Sequence, residues 1–70
     1  MIIRIEARDL AANQTLKFHY NGKDRTVKVE KVVRNVVKGK PYIHGFDVDA
    51  QQFKNFTIDN CGMFSQVIGE

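Results

Sequence analysis

The sequence predicts an all-β protein, a five-stranded antiparallel meander that closes into a small barrel. Three observations support this prediction. Short segments alternate between apolar and polar residues, Asn, Gly, Asp and Pro recur between them at short spacing, and one long segment shifts its alternation partway. Seventy residues form one domain, residues 1–70, with a modest core.

The N-terminal segment precedes the barrel. Residues 1–6 hold three isoleucines and predict a short strand, and residues 7–13 hold helix formers that favour a helical turn. The first barrel strand, residues 15–20, alternates cleanly. Its apolar face consists of Leu16, Phe18 and Tyr20, and its polar face of Lys17 and His19.

Asn21-Gly22 predicts a tight hairpin turn, because both residues tolerate positive φ. We expect Lys23 and Asp24 to lengthen that turn. The next strand, residues 25–37, points Val27 and Val29 inward. Valines then stand side by side at 32–33 and 36–37, so we expect a bulge or bend near residues 31–35.

Residues 38–41 predict a turn that ends at the only proline, and the central strand, residues 42–48, follows it. Tyr42 and Phe46 share one face with His44, and we expect both aromatic rings to lie in the core. Gly45 lies on the other face, where a glycine indicates a bend or a close backbone approach. Strands at 53–58 and 63–68 complete the meander, with turns at 49–51 and 59–62.

The net charge of +3 is unevenly distributed along the chain. Residues 17–40 hold eight basic residues against two acidic ones, a local charge of +6, and the rest of the chain is acidic. Such a segment could attract nucleic acid, a nucleotide or an acidic protein surface. The alternative is a lysine-rich face that only keeps the sheet soluble and its edges unpaired.

Several classes of function are not supported by the sequence. A single cysteine, Cys61, excludes an internal disulfide framework and fits a reducing cytoplasm, where we expect an inert, partly buried thiol. No apolar run approaches the roughly 20 residues of a membrane span.

The sequence shows no metal-ligand spacing among His19, His44 and Cys61, so we predict no metal and no cofactor. We expect His19 to lie on the surface. Asp47 and Asp49 are typical turn residues, and without a catalytic motif we predict no enzyme activity.

The chain from about residue 14 to residue 61 resembles the WYL domain. The segments that carry the resemblance are Leu16-Lys17-Phe18-His19-Tyr20, Arg25-Thr26-Val27-Lys28-Val29, Pro41-Tyr42-Ile43-His44-Gly45-Phe46-Asp47 and Lys54-Asn55-Phe56-Thr57-Ile58-Asp59-Asn60. The third segment has proline where the family has tryptophan. Thr57 and Asn60 stand where the family commonly has arginine, so only Lys54 keeps a positive charge in the fourth segment.

The resemblance implies an Sm-like or SH3-like small β-barrel. It also implies a sensor role, as in bacterial transcription regulators, with nucleic acid or a nucleotide-like ligand bound by basic and aromatic residues. We expect no helix-turn-helix before the domain, because only about a dozen residues precede it. The chain is therefore expected to be a free-standing module, a competitor of a regulator, or a small protein, phage-encoded for example, that uses the barrel for protein contacts.

The candidate site combines three residues that would meet if the strands of Tyr42 and Phe53 pair. Tyr42 could stack on a base, Lys54 could neutralise phosphate and His44 could do either. Arg25 and Lys28 would extend the positive surface. Two functions stay open: a module that binds nucleic acid or a nucleotide-like ligand, and a protein-interaction module that acts as inhibitor or adaptor. Homo-oligomerisation is compatible with both.

Overall fold

The computed structural model describes residues 1–68, so the last two residues of the predicted domain lie outside the described residues. The strands are β1 (Ile2–Ile5), β2 (Thr15–Tyr20), β3 (Lys23–Val33), β4 (Tyr42–Asp47), β5 (Gln52–Thr57) and β6 (Phe64–Val67). Two 3₁₀ helices span Ala7–Asp9 and Ile58–Asn60. The strands form one antiparallel sheet in the order β1-β6-β2-β3-β4-β5. The predicted all-β class is confirmed, and β1 with the first 3₁₀ helix is the predicted N-terminal addition.

The β2–β3 hairpin turns on two residues. Asn21 has φ 51° and Gly22 has φ 74°, the left-handed conformation that a two-residue hairpin turn needs. Tyr20 pairs directly with Lys23, and His19 pairs with Asp24. The expectation that Lys23 and Asp24 lengthen the turn is therefore wrong, because both residues belong to the ladder.

A bulge at Glu30 interrupts the long strand β3. Val29 pairs with Gly45 and Lys31 pairs with His44, so Glu30 is the extra residue on β3. Beyond it Val32 pairs with Ile43, which returns a valine to the inner face. The bulge precedes the predicted window by one residue, and β3 ends at Val33, four residues earlier than predicted.

Gly45 lies on β4 where the neighbouring strand β3 leaves no room for a side chain. A Cβ atom at this position would stand 2.6 Å from the carbonyl oxygen of Lys28 and 2.7 Å from Cγ1 of Val27. Any larger residue would push against the β3 backbone itself. The close approach predicted from this glycine is confirmed.

The sheet curls until its two halves touch. β2 and β5 are three strand spacings apart, about 14 Å in a flat sheet, yet the rings of Phe18 and Phe56 have centroids 5.3 Å apart. The amide of Gly62, after the second 3₁₀ helix, donates to the carbonyl of His19 at 2.8 Å. No ladder joins β1 to β5 in residues 1–68, so this curled sheet is open rather than hydrogen-bonded all the way round.

The core lies inside this curl. Its buried apolar residues are Leu10, Leu16, Phe18, Val27, Val29, Ile43, Phe56 and Phe64. The expectation that Tyr42 and Phe46 lie in the core is wrong, because β4 buries Ile43, Gly45 and Asp47 and turns its aromatic residues to the outer face. The inner face of β4 is therefore hard to recognise in sequence, since it is composed of Ile, Gly and Asp.

An arginine of the basic segment, Arg34, connects the N-terminal turn to the rest of the fold. Nη2 of Arg34 donates to the carbonyls of Ala7 (3.1 Å) and Leu10 (2.9 Å), and Leu10 is buried in the core. Part of the +6 charge is thus used in structural contacts. Among residues 1–68 no helix is long and apolar enough to cross a membrane.

We expect Gly45→Ala to lower the free energy of unfolding by about 1–3 kcal/mol, as overpacking in a filled interior does. The added methyl group meets the Lys28 carbonyl, which cannot move without stretching the β3–β4 ladder. Urea unfolding followed by circular dichroism measures the loss. Gly62→Ala is the matched control, because its new Cβ meets the Cβ of the exposed His19 at 3.3 Å. Equal stability of the two variants would contradict a special packing role for Gly45.

Candidate functional site

The outer face of β3, β4 and β5 carries two adjacent rows of side chains, each beginning with a lysine. Cross-strand partners lie on the same face of a sheet. In the first row Lys28 pairs with Phe46, which pairs with Phe53. In the second row Lys31 pairs with His44, which pairs with Asn55. Both lysines are exposed, so positive charge stands beside aromatic rings in both rows.

Three rings on this face form what we call the aromatic platform: His44, Phe46 and Phe53. The His44 and Phe53 rings are nearly parallel, 9° apart, with centroids separated by 5.6 Å. Phe46 meets Phe53 edge-on at 5.3 Å. Phe53 remains 56% exposed, an unusual amount for a large apolar side chain on a strand. The platform therefore offers an apolar ring surface to solvent.

The polar contacts of His44 fix the orientation of its ring. Nδ1 lies 2.6 Å from Oδ1 of Asn55, and Nε2 lies 3.3 Å from Oε1 of Glu30. Each ring nitrogen thus lies beside an oxygen atom of a neighbouring side chain, and the two contacts on opposite sides hold the plane of the ring. Glu30 reaches this position because the bulge turns it toward His44. It places one negative charge next to the platform.

A shallow depression of about 340 Å³ lies between β3 and two rings of the platform, Phe46 and Phe53. Its lining includes Asn13, Lys28, Glu30, Phe46 and Phe53. Within residues 1–68 neither Lys28 nor Lys31 forms an ion pair. The depression thus combines apolar ring surface with one lysine, Lys28, and Lys31 stands in the next row. Ring surface and positive charge are the two components of a binding site for a nucleic-acid base and its phosphate.

The inner face of the same strands carries a second polar group, centred on Asp47. This carboxylate is only 1% exposed. Oδ2 lies 3.5 Å from Nη1 of Arg25 and 3.5 Å from Nζ of Lys54. Oδ1 accepts the amides of Asp49 (3.1 Å) and Ala50 (3.3 Å) in the β4–β5 turn. Asp47 therefore anchors the turn, as predicted. Its burial beside two cations was not predicted, because a turn-forming aspartate was expected to carry a surface charge.

The pKa of Asp47 is lowered from its ordinary value of 3.8. Burial acts in the opposite direction and is the largest single influence, since it disfavours the charged form. The amide of Ala50, the charge and hydrogen bonding of Lys54, and the amide of Asp49 together outweigh it. The ionised carboxylate is thus stabilised by its surroundings in the folded state.

The structure separates the predicted site residues into two groups. Lys28, Tyr42 and His44 lie on the outer face, and Arg25 and Lys54 lie on the inner face. β4 and β5 do pair as expected, but Tyr42, His44 and Lys54 do not meet. Lys54 pairs with Gly45, and side chains alternate between faces, so its side chain points away from the other two.

We did not predict from the sequence that Phe53 is exposed, or that Asn55 and Glu30 belong to the candidate site. The signal that could have found Phe53 is the short β4–β5 turn, residues 48–51, which places it opposite Phe46. Glu30 could not be placed, because its position depends on the bulge.

Two predictions about the remaining reactive side chains are confirmed. The side chain of His19 is 58% exposed and contacts Asp24 at 3.0 Å. Cys61 is half-buried, its Sγ donates to the carbonyl of Thr57 at 3.2 Å, and burial raises its pKa to about 12. Such a thiol is a poor nucleophile at neutral pH. In the described part of the chain, no three His, Cys, Asp or Glu side chains cluster as a metal site would require.

Comparison with known proteins finds no matching family model, no similar curated protein and no similar solved structure. The resemblance to WYL domains therefore stays a prediction that rests on the sequence segments themselves.

We expect Asp47→Asn to destabilise the fold at pH 7 by about 2–4 kcal/mol, because it leaves two partly buried cations without their carboxylate. The lowered pKa means that the stabilisation by Asp47 is complete above its ordinary value and is lost as the pH falls through the folded-state value. Urea unfolding of both proteins between about pH 7 and pH 2 should show the difference closing below about pH 4.

The exposed Asp49 provides the control for this experiment. Asp49→Asn should change stability by less than about 0.5 kcal/mol, as exposed substitutions usually do. A wild-type advantage over Asp47→Asn that stays constant across the acid range would contradict the assigned role of the carboxylate.

Proposed function

We propose that this chain is a non-enzymatic binding module that binds single-stranded nucleic acid, or a nucleotide-like ligand of the same chemistry, through its outer face. The observation that carries the proposal is the pairing of an exposed lysine with an aromatic ring in each of two adjacent rows. Bases stack on aromatic side chains whatever their sequence, and lysines neutralise the phosphates between them. The chain would act as a stand-alone, divergent WYL-like domain.

The spacing of the rows suits this chemistry. Neighbouring strands lie about 4.8 Å apart, so Lys28 stands two strand spacings, about 10 Å, from the exposed ring of Phe53. A lysine side chain can cover part of that distance over the intervening Phe46. One nucleotide could then place its base on Phe53 and its phosphate at Lys28. Lys31, in the next row, would take a neighbouring phosphate.

The basic segment, residues 17–40, supports the proposal only in part, because both of its arginines make structural contacts. Arg34 holds the N-terminal turn, and Arg25 faces Asp47. The lysines of the outer face keep their charge for a ligand. We place the module in the cytoplasm, since its one thiol is unpaired and nucleic acid is abundant there.

Fluorescence anisotropy with a labelled oligothymidylate at low salt tests the proposal. We expect Phe53→Ala to weaken binding by about 1–3 kcal/mol, roughly 5- to 150-fold, through loss of one stacked base. Lys28→Gln should reduce the slope of log affinity against log salt by about 0.7. Glu30→Gln should tighten binding by roughly 1.5- to 5-fold, because it removes the acid beside the platform.

Two controls match these variants. Met63→Ala removes an exposed apolar side chain outside the platform, and Lys38→Gln removes an exposed lysine from the turn before β4. Both should leave the affinity within about twofold of wild type, as distant surface changes do. Absence of binding at low salt, or equal effects of Phe53→Ala and Met63→Ala, would overturn the proposal.

A second candidate is protein interaction by strand addition at β1. This strand is an edge of the sheet, and Met1, Ile2 and Ile3 are 83%, 58% and 38% exposed. An apolar edge with unpaired backbone groups is a template for another strand. A second copy of the chain is the partner we consider, because its own β1 supplies a matching apolar edge strand.

Sedimentation velocity tests this second candidate. If β1 pairs with a second copy, a dimer should grow with concentration over about 10–500 µM, the range of weak association. Ile2→Lys places a charge on the exposed edge and should shift the protein to monomer. A wild-type protein that stays monomeric over the whole range would exclude self-association through β1.

A further inference from the structure

The inner face of β5 borders a cleft that the outer-face proposal does not use. This cleft has a volume of about 370 Å³ and lies between the β2–β3 turn and β5. Its lining is Tyr20, Asn21, Arg25, Lys54, Asn55 and Phe56. Most of these side chains end in hydrogen-bond donors, and two of them are cations.

The cations are not fully neutralised by the protein. Arg25 and Lys54 share one carboxylate, so one positive charge is left over. Both ion-pair distances to Asp47 are 3.5 Å, longer than the roughly 2.7–2.9 Å of a tight charged hydrogen bond. The two amides on Oδ1 hold Asp47 against the turn. The carboxylate thus positions both cations without engaging either one closely.

Arg25 keeps most of its donors free for a ligand. Its Nε donates to the carbonyl of Tyr20 at 3.3 Å, and Nη1 faces Asp47. A guanidinium has five N–H donors in a planar fork. Within residues 1–68 the Tyr20 carbonyl and the Asp47 carboxylate are the acceptors within hydrogen-bond distance of the Arg25 guanidinium. The Tyr20 ring, 6.0 Å from the guanidinium carbon, helps to hold the group in place.

The cleft is accessible but partly shielded from water. The side chain of Arg25 is 14% exposed and that of Lys54 is 33% exposed. Charges in such positions act more strongly on an anion than fully solvated charges do. Asn21, in the β2–β3 turn, borders the same space, and its side-chain amide can donate to the oxygens of a bound anion.

We propose that this cleft binds a phosphate group. The Arg25 fork would take two phosphate oxygens, Lys54 would supply a point charge, and Asn21 would donate to a remaining oxygen. The site lies on the opposite face of β5 from the aromatic platform, and it stands independently of the proposed function. The same chemistry is offered by inorganic phosphate and by the terminal phosphate of a nucleotide.

Titration of the ¹⁵N-labelled protein with inorganic phosphate, against sodium chloride at matched ionic strength, tests this inference. We expect saturable shifts of the backbone amides of Asn21, Lys54 and Asn55 with phosphate and not with chloride. Lys54→Gln should weaken phosphate binding at least about tenfold, and the exposed-turn control Lys38→Gln should leave it within about twofold. Shifts that are the same for both salts, or equal effects of the two variants, would overturn the site.

Two further variants keep the result interpretable. Arg25→Lys preserves the charge that faces Asp47, so the fold is retained, but it removes the fork and should weaken phosphate binding several-fold. Phe53→Ala should leave phosphate affinity unchanged, which separates this cleft from the platform. A loss of phosphate affinity in Phe53→Ala would place the anion on the outer face and contradict the cleft.

Adenosine 5′-monophosphate and adenosine distinguish the sources of the phosphate. If a terminal phosphate is the natural ligand, the monophosphate should shift the same three amides at least as strongly as inorganic phosphate does, and adenosine should leave them unchanged. Equal shifts of these amides by adenosine would contradict phosphate recognition.

Discussion

The contact between Gly45 and the backbone of Lys28 is the constraint on which the rest of the structure depends. It allows β4 to approach β3 without a side chain between them, immediately before the bulge at Glu30. A bulge increases the local twist and bends the strand. The sheet can then curl far enough for Phe18 to meet Phe56 and close the core. The same bend places the aromatic platform on the convex side.

Because side chains alternate along β5, the two proposed binding sites lie on opposite faces of the sheet. Phe53 points outward to the platform, and Lys54, the next residue, points inward to Asp47. Aromatic stacking surface and free lysines therefore lie outside, and paired cations around a buried carboxylate lie inside. The two groups differ in their charge balance. The outer lysines have no ion-pair partner among residues 1–68, whereas the inner cations are held in place by a carboxylate that only partly neutralises them.

Much of the fold follows from local patterns, because those patterns act through nearby residues. The Asn21-Gly22 turn, the alternation in β2, the inward Val27 and Val29 and the close approach at Gly45 all depend on conformational preferences or on neighbouring strands. The buried face of β4 could not be predicted in this way. Burial of Asp47 depends on turn amides and on Arg25 and Lys54, which are distant in sequence, so hydrophobicity alone assigns the wrong face. The site predicted from sequence consequently joined Tyr42 and His44 with Lys54, which the structure places on the opposite face of the sheet.

The central claim is that the outer face of β3–β5 binds single-stranded nucleic acid. Chemical-shift mapping of the ¹⁵N- and ¹³C-labelled protein with an unlabelled oligothymidylate lacking terminal phosphates tests it most directly. We expect the largest chemical-shift changes at Lys28, His44, Phe46 and Phe53, and little change at Arg25 and Lys54. Perturbations concentrated on β1 and β6, or confined to the Asp47 cleft, would contradict it.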